Sequence, residues 1–309
     1  MRTILGIILF YGRFGLSFSA IGFWFRRLFW QNGQPSMAGQ TVLVTGASGG
    51  IGAAVVAGCA ASGARVIAVA RNPDKLASLK ASVGDRVVTY ACDLAETNAV
   101  NGLADAISKD FGSIDVLVNN VGVMLHDFVE NSEGVDAQFA TNLLNQYVFT
   151  ERLVASGVLA EEGAVITVAS GGMYMAPLVT SALCAKEAAA HDGTRAYAVQ
   201  KRAQVALTQH WQQSSEKQGQ RYYVMHPGWV DTAGVQQSLP TFRKLLRPVL
   251  RTASQGADTI IWLASERPEE DNQDRIWLDR KARKTHAYGF TRANSESTER
   301  LLRFLKTFL

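Results

Sequence analysis

A doubly wound α/β sheet of parallel strands in a single domain is predicted by three observations on this 309-residue chain. Short apolar, β-branched runs alternate with helical periods five times, which implies right-handed crossovers between parallel strands. A glycine-rich turn, with Gly46, Gly50 and Gly52, joins the first run to the first helix. Thr45, Arg71, Asp93, Asn119 and Ser170 each stand at the end of such a run. In an open parallel sheet those ends meet on one edge, where ligands bind.

Before the first run lies an unusual leader. Residues 1–40 hold four arginines (Arg2, Arg13, Arg26, Arg27) and no Asp or Glu, which accounts for the whole formal charge of +4. The rest of the chain is balanced, which argues against a nucleic-acid surface. Ile4–Phe25 is apolar or small apart from Arg13, and the cluster FWFRRLFW overlaps its end. As one helix, a run of that length would rise about 33 Å, enough for a bilayer core of about 30 Å. Arg13 would then lie near the middle, at a cost of about 2.5–3.5 kcal/mol. A cleaved signal is disfavoured by Phe18 at the place that calls for a small residue. An interfacial segment, a spanning anchor and an extension packed on the domain all remain open. The expected division is a hydrophobic, basic membrane-contact segment over 1–37 and the folded α/β domain over 38–309. The arginine balance leans that domain to the cytosolic side of a membrane. The three cysteines lie far apart and the five histidines lack metal-ligand spacing, so no metal is expected.

Taken in order, Val42–Val44 reads as the first strand and Ile51–Gly63 as a helix with a small-residue face. A strand, a glycine turn and a helix N-terminus form an anion site, because backbone N–H groups and the helix dipole favour negative charge there. Arg65–Ala70 is the second strand. Arg71 at its end suits a 2′-phosphate, where an acid would bind a ribose hydroxyl. Pro73–Ser82 is helical, Arg86–Cys92 is a strand, Val100–Phe111 is helical and Ile114–Asn119 is a strand running into Asn119-Asn120-Val121-Gly122. Val135–Leu159 reads as one long helix with Asn142 and Asn145 among apolar residues, and buried amides there need partners. Ala164–Ala169 is the fifth strand and ends at Ser170. Gly172–Thr194 breaks the rhythm as an insertion suited to shaping a substrate pocket. Thr194–Gln218 is a helix, Tyr222–Met225 a strand, Leu239–Val249 a basic amphipathic piece, Ala253–Ala264 a helix and Arg275–Leu278 a last strand. Ser295–Leu309 closes the chain as a helix with Leu301, Leu302, Phe304, Leu305 and Phe308 on one face.

Tyr197 and Lys201 stand four apart on a helix, so their side chains share a face. An adjacent ammonium favours a phenolate, which would bring tyrosine toward useful acid–base work. Ser170 can hold a carbonyl oxygen beside them. Thr-Gly-x-x-x-Gly-x-Gly, Asn119-Asn120-x-Gly122, Ser170, Tyr197-x-x-x-Lys201 and Pro227-Gly228 occur in one order. Over roughly residues 38–280 the chain therefore resembles the short-chain dehydrogenase/reductase family, which has the Rossmann fold. A narrower resemblance, carried by SGGMY, DGTRAYAVQKRAQVALTQHW and MHPGWVDTAGVQQSLPTF, points to one branch with a long serine-to-tyrosine stretch.

The resemblance implies a catalytic tetrad of Ser170, Tyr197, Lys201 and Asn142, with Asn142 holding a water that relays protons to Lys201. It implies cofactor contacts at Gly46, Ser48, Gly50, Ile51, Gly52, Arg71, Asp93, Asn119, Gly122, Tyr197, Lys201, Pro227, Val230 and Thr232. The expected activity is hydride transfer with NADP(H) between a carbonyl and an alcohol, on a hydrophobic or lipid-derived substrate. The rival is a non-catalytic NADPH sensor or scaffold at a membrane. The helix bearing Tyr197 and the one before it often form a homodimer face in that family. Two departures stand out: Val121 where alanine is usual, and Gly49 where many NADP-preferring members carry a basic residue.

Overall fold

The computed structural model describes residues 12–30, 36–215, 219–269 and 274–309. Arg2, the part of Ile4–Phe25 before residue 12, and residues 216–218 of the predicted Thr194–Gln218 helix lie outside the described residues.

Eight strands form one sheet in the order β3-β2-β1-β4-β5-β6-β7-β8. They are β1 Thr41–Thr45, β2 Arg65–Ala70, β3 Val87–Ala91, β4 Ile114–Asn119, β5 Leu159–Val168, β6 Arg221–Met225, β7 Arg275–Leu278 and β8 Lys281–Lys284. All neighbours are parallel except β7 and β8, which pair antiparallel. The order reverses between β1 and β4, so a crevice opens there at the carboxyl ends of the strands. The parallel sheet is as predicted, and β8 is an addition to it. Its KARK sequence carries no apolar run because the edge strand has exposed residues at both ends.

Side-chain alternation along the first two strands feeds two of the three buried clusters among the described residues. Leu43 and Ile67 face a cluster with Phe139, Tyr147 and Leu207, while Val42 and Val44 face one with Val55, Ile260 and Leu263. Leu301 and Leu305 of the C-terminal helix Ser295–Lys306 are fully buried in the first cluster, beside the helix Gly193–Ser215.

The predicted Val135–Leu159 helix is broken. Ala137–Phe139 leads into a π-helical turn Ala140–Leu144, then helix Asn145–Ala155, and Leu159 already starts β5. The insertion after Ser170 forms short 3-10 turns at Gly171–Met175, Thr180–Ala182 and Ala188–Ala190.

Residues 12–18 and Ala20–Arg27 are helical. Among the described residues no helix is long and apolar enough to cross a membrane. Phe18 and Phe23 are each 2% exposed, whereas Leu16, Ile21, Trp24, Phe25, Leu28 and Phe29 are exposed. One face of the leader is therefore packed on the domain and the other is open.

Candidate active site

The glycine turn closes against β4. Gly46 has a φ of +66°, a left-handed conformation that penalises a side chain. A Cβ on Gly52 would lie 2.7 Å from Asn120 Nδ2, so this glycine allows the helix to approach the turn closely. Asn120 braces the turn by donating from Nδ2 to the Thr45 carbonyl at 2.8 Å, and its backbone N–H donates to Thr45 Oγ1 at 3.0 Å. The helix Gly50–Ala61 starts here with no side-chain cap from Gly49 and no acid in its first turn. Such an end suits a phosphate, and the turn thus fits the pyrophosphate of a dinucleotide.

Ser170 follows β5 and Tyr197 and Lys201 lie on helix Gly193–Ser215. The Ser170 and Tyr197 side chains are hydrogen-bonded. Lys201 Nζ lies 5.6 Å from the centre of the Tyr197 ring and donates to the Val168 carbonyl at 2.9 Å. Gly122 lies against the same amine, since a Cβ there would stand 3.1 Å from Lys201 Nζ and 3.6 Å from Asn142 Oδ1. Three distant stretches of sequence thus converge within one contact shell.

The electrostatics differ from the expected pairing. Lys201 is 2% exposed, and burial pushes its pKa down to about 7. Burial also pushes the Tyr197 phenol above its ordinary value, and the opposing pull comes from the Ser170 hydrogen bond. The lysine charge expected to lower the phenol's pKa is not among the causes acting on it here, which are burial and the Ser170 hydrogen bond.

Asn142 sits in the π-helical turn and is fully buried. Its Nδ2 donates to the Val123 carbonyl and to Gln200 Oε1, each at 2.8 Å, and its Oδ1 accepts from Val123 N–H at 2.8 Å. Its main-chain carbonyl accepts from Gln204 Nε2 at 2.6 Å. Gln138 and Gln146 extend this amide ladder by bonding Gln200 and Gln204. The ladder ties the π turn to the helix of Lys201, and its buried amides hold one arrangement because each lost bond would be costly. The glutamines were missed in the sequence; Gln200 and Gln204 were visible as amides at helical spacing around Lys201.

The other predicted contacts surround this centre. Arg71 stands beyond the end of β2, exposed, with Nη1 3.6 Å from Asp93 Oδ2. Asn119 is buried and donates to Thr150 Oγ1 at 2.9 Å, while its Oδ1 has no partner. Its side chain therefore faces the core. Ser48 is half-buried in the glycine turn. Thr232 lies against Gly50 and caps the short helix Ala233–Ser238 through Val235 N–H. Val230 and Ile51 both pack on Gly256, and the Pro227 carbonyl accepts from Arg251 at 3.0 Å. Across the cleft, Ser238 Oγ donates to the Met124 carbonyl and His126 Nε2 donates to the Ser238 carbonyl, both at 2.9 Å.

Comparison with known proteins agrees with this geometry. The short chain dehydrogenase family matches residues 40–242. Dehydrogenase/reductase SDR family member 12 of Bos taurus is 34% identical over 276 residues, covering 87% of this chain and 86% of that protein. It represents the branch to which the sequence pointed. Retinol dehydrogenase 12 of Homo sapiens is 25% identical and covers 74% of each chain. A short chain dehydrogenase from Burkholderia cenocepacia J2315, solved in complex with NADP, has a TM-score of 0.61 at 24% identity. That alignment covers 75% of this chain and 92% of the other, and shows likeness of fold.

Proposed function

The chain belongs to the short-chain dehydrogenase/reductase family, NAD(P)-dependent oxidoreductases of alcohols and carbonyls, and we propose that it uses NADP(H) on an apolar carbonyl or alcohol. The observation that carries the reading is the convergence of Ser170, Tyr197 and Lys201 beside the glycine turn.

A nicotinamide dinucleotide held at its pyrophosphate by the glycine turn would supply or take the hydride. Ser170 holds the substrate oxygen by hydrogen bond, and Tyr197 gives that oxygen its proton during reduction. Lys201, titrating near 7, both releases and regains a proton at neutral pH, which suits it to resupply Tyr197. Asn142 orders the Val123 segment and the π turn beside Lys201, and a water held between Asn142 and Lys201 would complete the relay.

Arg71 supports NADP over NAD: an exposed guanidinium at the β2 end offers a fork to a 2′-phosphate. An apolar substrate is supported by the partly buried Phe242 and Leu246, which lie over the packed cluster of Met173, Tyr174, Trp229 and Leu250. The name of the retinol dehydrogenase describes an apolar alcohol of the same kind. The outward face of the leader, with Trp24, Phe25 and Phe29 beside Arg27, supports contact with a lipid surface from which such a substrate comes.

The test is NADPH consumption against a panel of aldehydes and ketones, with Tyr197→Phe as comparison. Turnover that Tyr197→Phe removes supports the enzyme; tight NADPH binding with no turnover of any carbonyl supports the sensor instead.

A further inference from the structure

We propose that Phe18, from the leader, is a positioning residue for Ser170: it keys into the catalytic domain and fixes the turn on which the serine stands. This rests on Ser170 acting as read above.

The dock is built from parts far apart in the chain. Trp229 N–H donates to the Phe18 carbonyl at 2.9 Å. Arg251, 1% exposed, donates to the Ser17 and Ser19 carbonyls at 3.0 and 3.2 Å. Three consecutive carbonyls of the leader are thus received by the domain. Asp279 holds Arg251 through both carboxylate oxygens at 2.7 and 2.9 Å and accepts from Arg26 Nε at 2.6 Å. The leader is fastened on both sides of Phe18.

The ring then enters the catalytic loops. A Cβ on Gly171, the residue after Ser170, would lie 2.7 Å from the Phe18 ring. A Cβ on Gly228 would lie 2.6 Å from the Phe18 carbonyl oxygen and from Arg251. Side chains are absent where the leader needs to pass. The ring also meets Trp229 edge-on at 5.9 Å and His226 at 4.5 Å, and stacks near Tyr174 at 6.2 Å. From the opposite side, Arg202 grips the same Gly171–Met175 turn by donating to the Met173 and Ala176 carbonyls at 2.6 and 3.2 Å. Close packing transmits a change on one side of the turn to the other.

Phe18→Ala, Phe18→Leu and Phe23→Ala test the idea in the full chain. Phe23 is equally buried in the leader and lies under Arg251, so its loss loosens the dock without opening space beside Gly171. Among the described residues, the groups facing Tyr197 are the Ser170 hydroxyl and Lys201. A displaced Ser170 withdraws its hydrogen bond, so Phe18→Ala should lower kcat about tenfold to hundredfold and raise the Tyr197 inflection of the pH profile. NADPH affinity, read by fluorescence, should stay unchanged. Phe18→Leu should restore most of both, and Phe23→Ala should leave the inflection in place. Equal losses in Phe18→Ala and Phe23→Ala with an unmoved inflection would overturn the proposal. If the unaltered protein turns over no carbonyl, the catalytic reading falls separately. Tyrosinate absorbance against Tyr197→Phe then decides: an upward shift in Phe18→Ala upholds the placement of Ser170, and none overturns it.

Discussion

Ser170 and Tyr197 are joined by a hydrogen bond that pulls the phenol toward ionisation while burial pushes it away. Alcohol oxidation needs the phenolate, so its rate should rise with pH through the Tyr197 inflection. Ser170→Ala should move that inflection upward. Lys201→Met should slow turnover but move it less, because an amine titrating near 7 is largely neutral at alkaline pH. Tyr197→Phe should lower kcat by about 10²–10⁴. A pH–rate profile of each variant gives the comparison.

Arg71 and Asp93 bear on the choice of cofactor. Their pair is exposed and held at 3.6 Å, so little is lost when the guanidinium turns to a phosphate. A charge-assisted phosphate contact contributes about 1.5–3 kcal/mol, so NADPH should bind more than tenfold tighter than NADH. Arg71→Ala should collapse that ratio in a fluorescence titration, and equal affinities in the unaltered protein would remove the assignment.

His226 predicts acid lability. The ring is fully buried, accepts from Gly228 N–H at 3.3 Å, and has its pKa pushed down to about 3 by burial and by Arg251, Arg283 and Arg26. Below its ordinary value of 6.5 the unfolded chain takes up a proton that the folded chain refuses. Stability is therefore lost as pH falls, by about 1.4 kcal/mol per unit from this group until its folded pKa is reached. Urea midpoints from pH 7 downward should fall less steeply in His226→Gln.

Arg251 and Asp279 are each buried, and removing Arg251 leaves Asp279 with Arg26 as its remaining arginine and the leader carbonyls without their donor. Arg251→Met should destabilise the protein by about 3–5 kcal/mol. Asp279→Asn should then cost less in the Arg251→Met background than alone, measured by denaturant unfolding, because the carboxylate has already lost one of its two arginines.

Contact with a lipid surface is tested on the open face of the leader. Changing Trp24, Phe25 and Phe29 to serine should abolish flotation with anionic liposomes, each ring being worth about 1.5–3 kcal/mol of apolar burial. Arg26→Glu would be a poor probe, because Arg26 is bonded to Asp279 and to the Ser17 carbonyl and its reversal attacks the dock itself. Flotation that survives the triple change would move the contact elsewhere.

What could be read from the sequence followed from local chemistry. β2, β4 and β7 have the bounds expected from their apolar runs, because a strand buried on both faces needs nothing but such residues. Tyr197 and Lys201 were legible because helical spacing alone puts them together. The π turn at Asn142 was not, since its residues have ordinary helical period and the break is held by Gln200 and Gln204 on another helix. Nor was the seat of the leader. Phe18 and Arg26 look like membrane residues until Arg251 and Asp279, more than two hundred positions away, are placed beside them.

That separation also sets an order of events during synthesis. At about 5–20 residues per second, the ribosome releases Phe18 tens of seconds before Asp279, so the leader emerges well before its seat exists. In that interval Phe18 and Phe23 lack their native burial and share the solvent with the open face beside them. Closing the dock is therefore a late, long-range event that waits on the last strands.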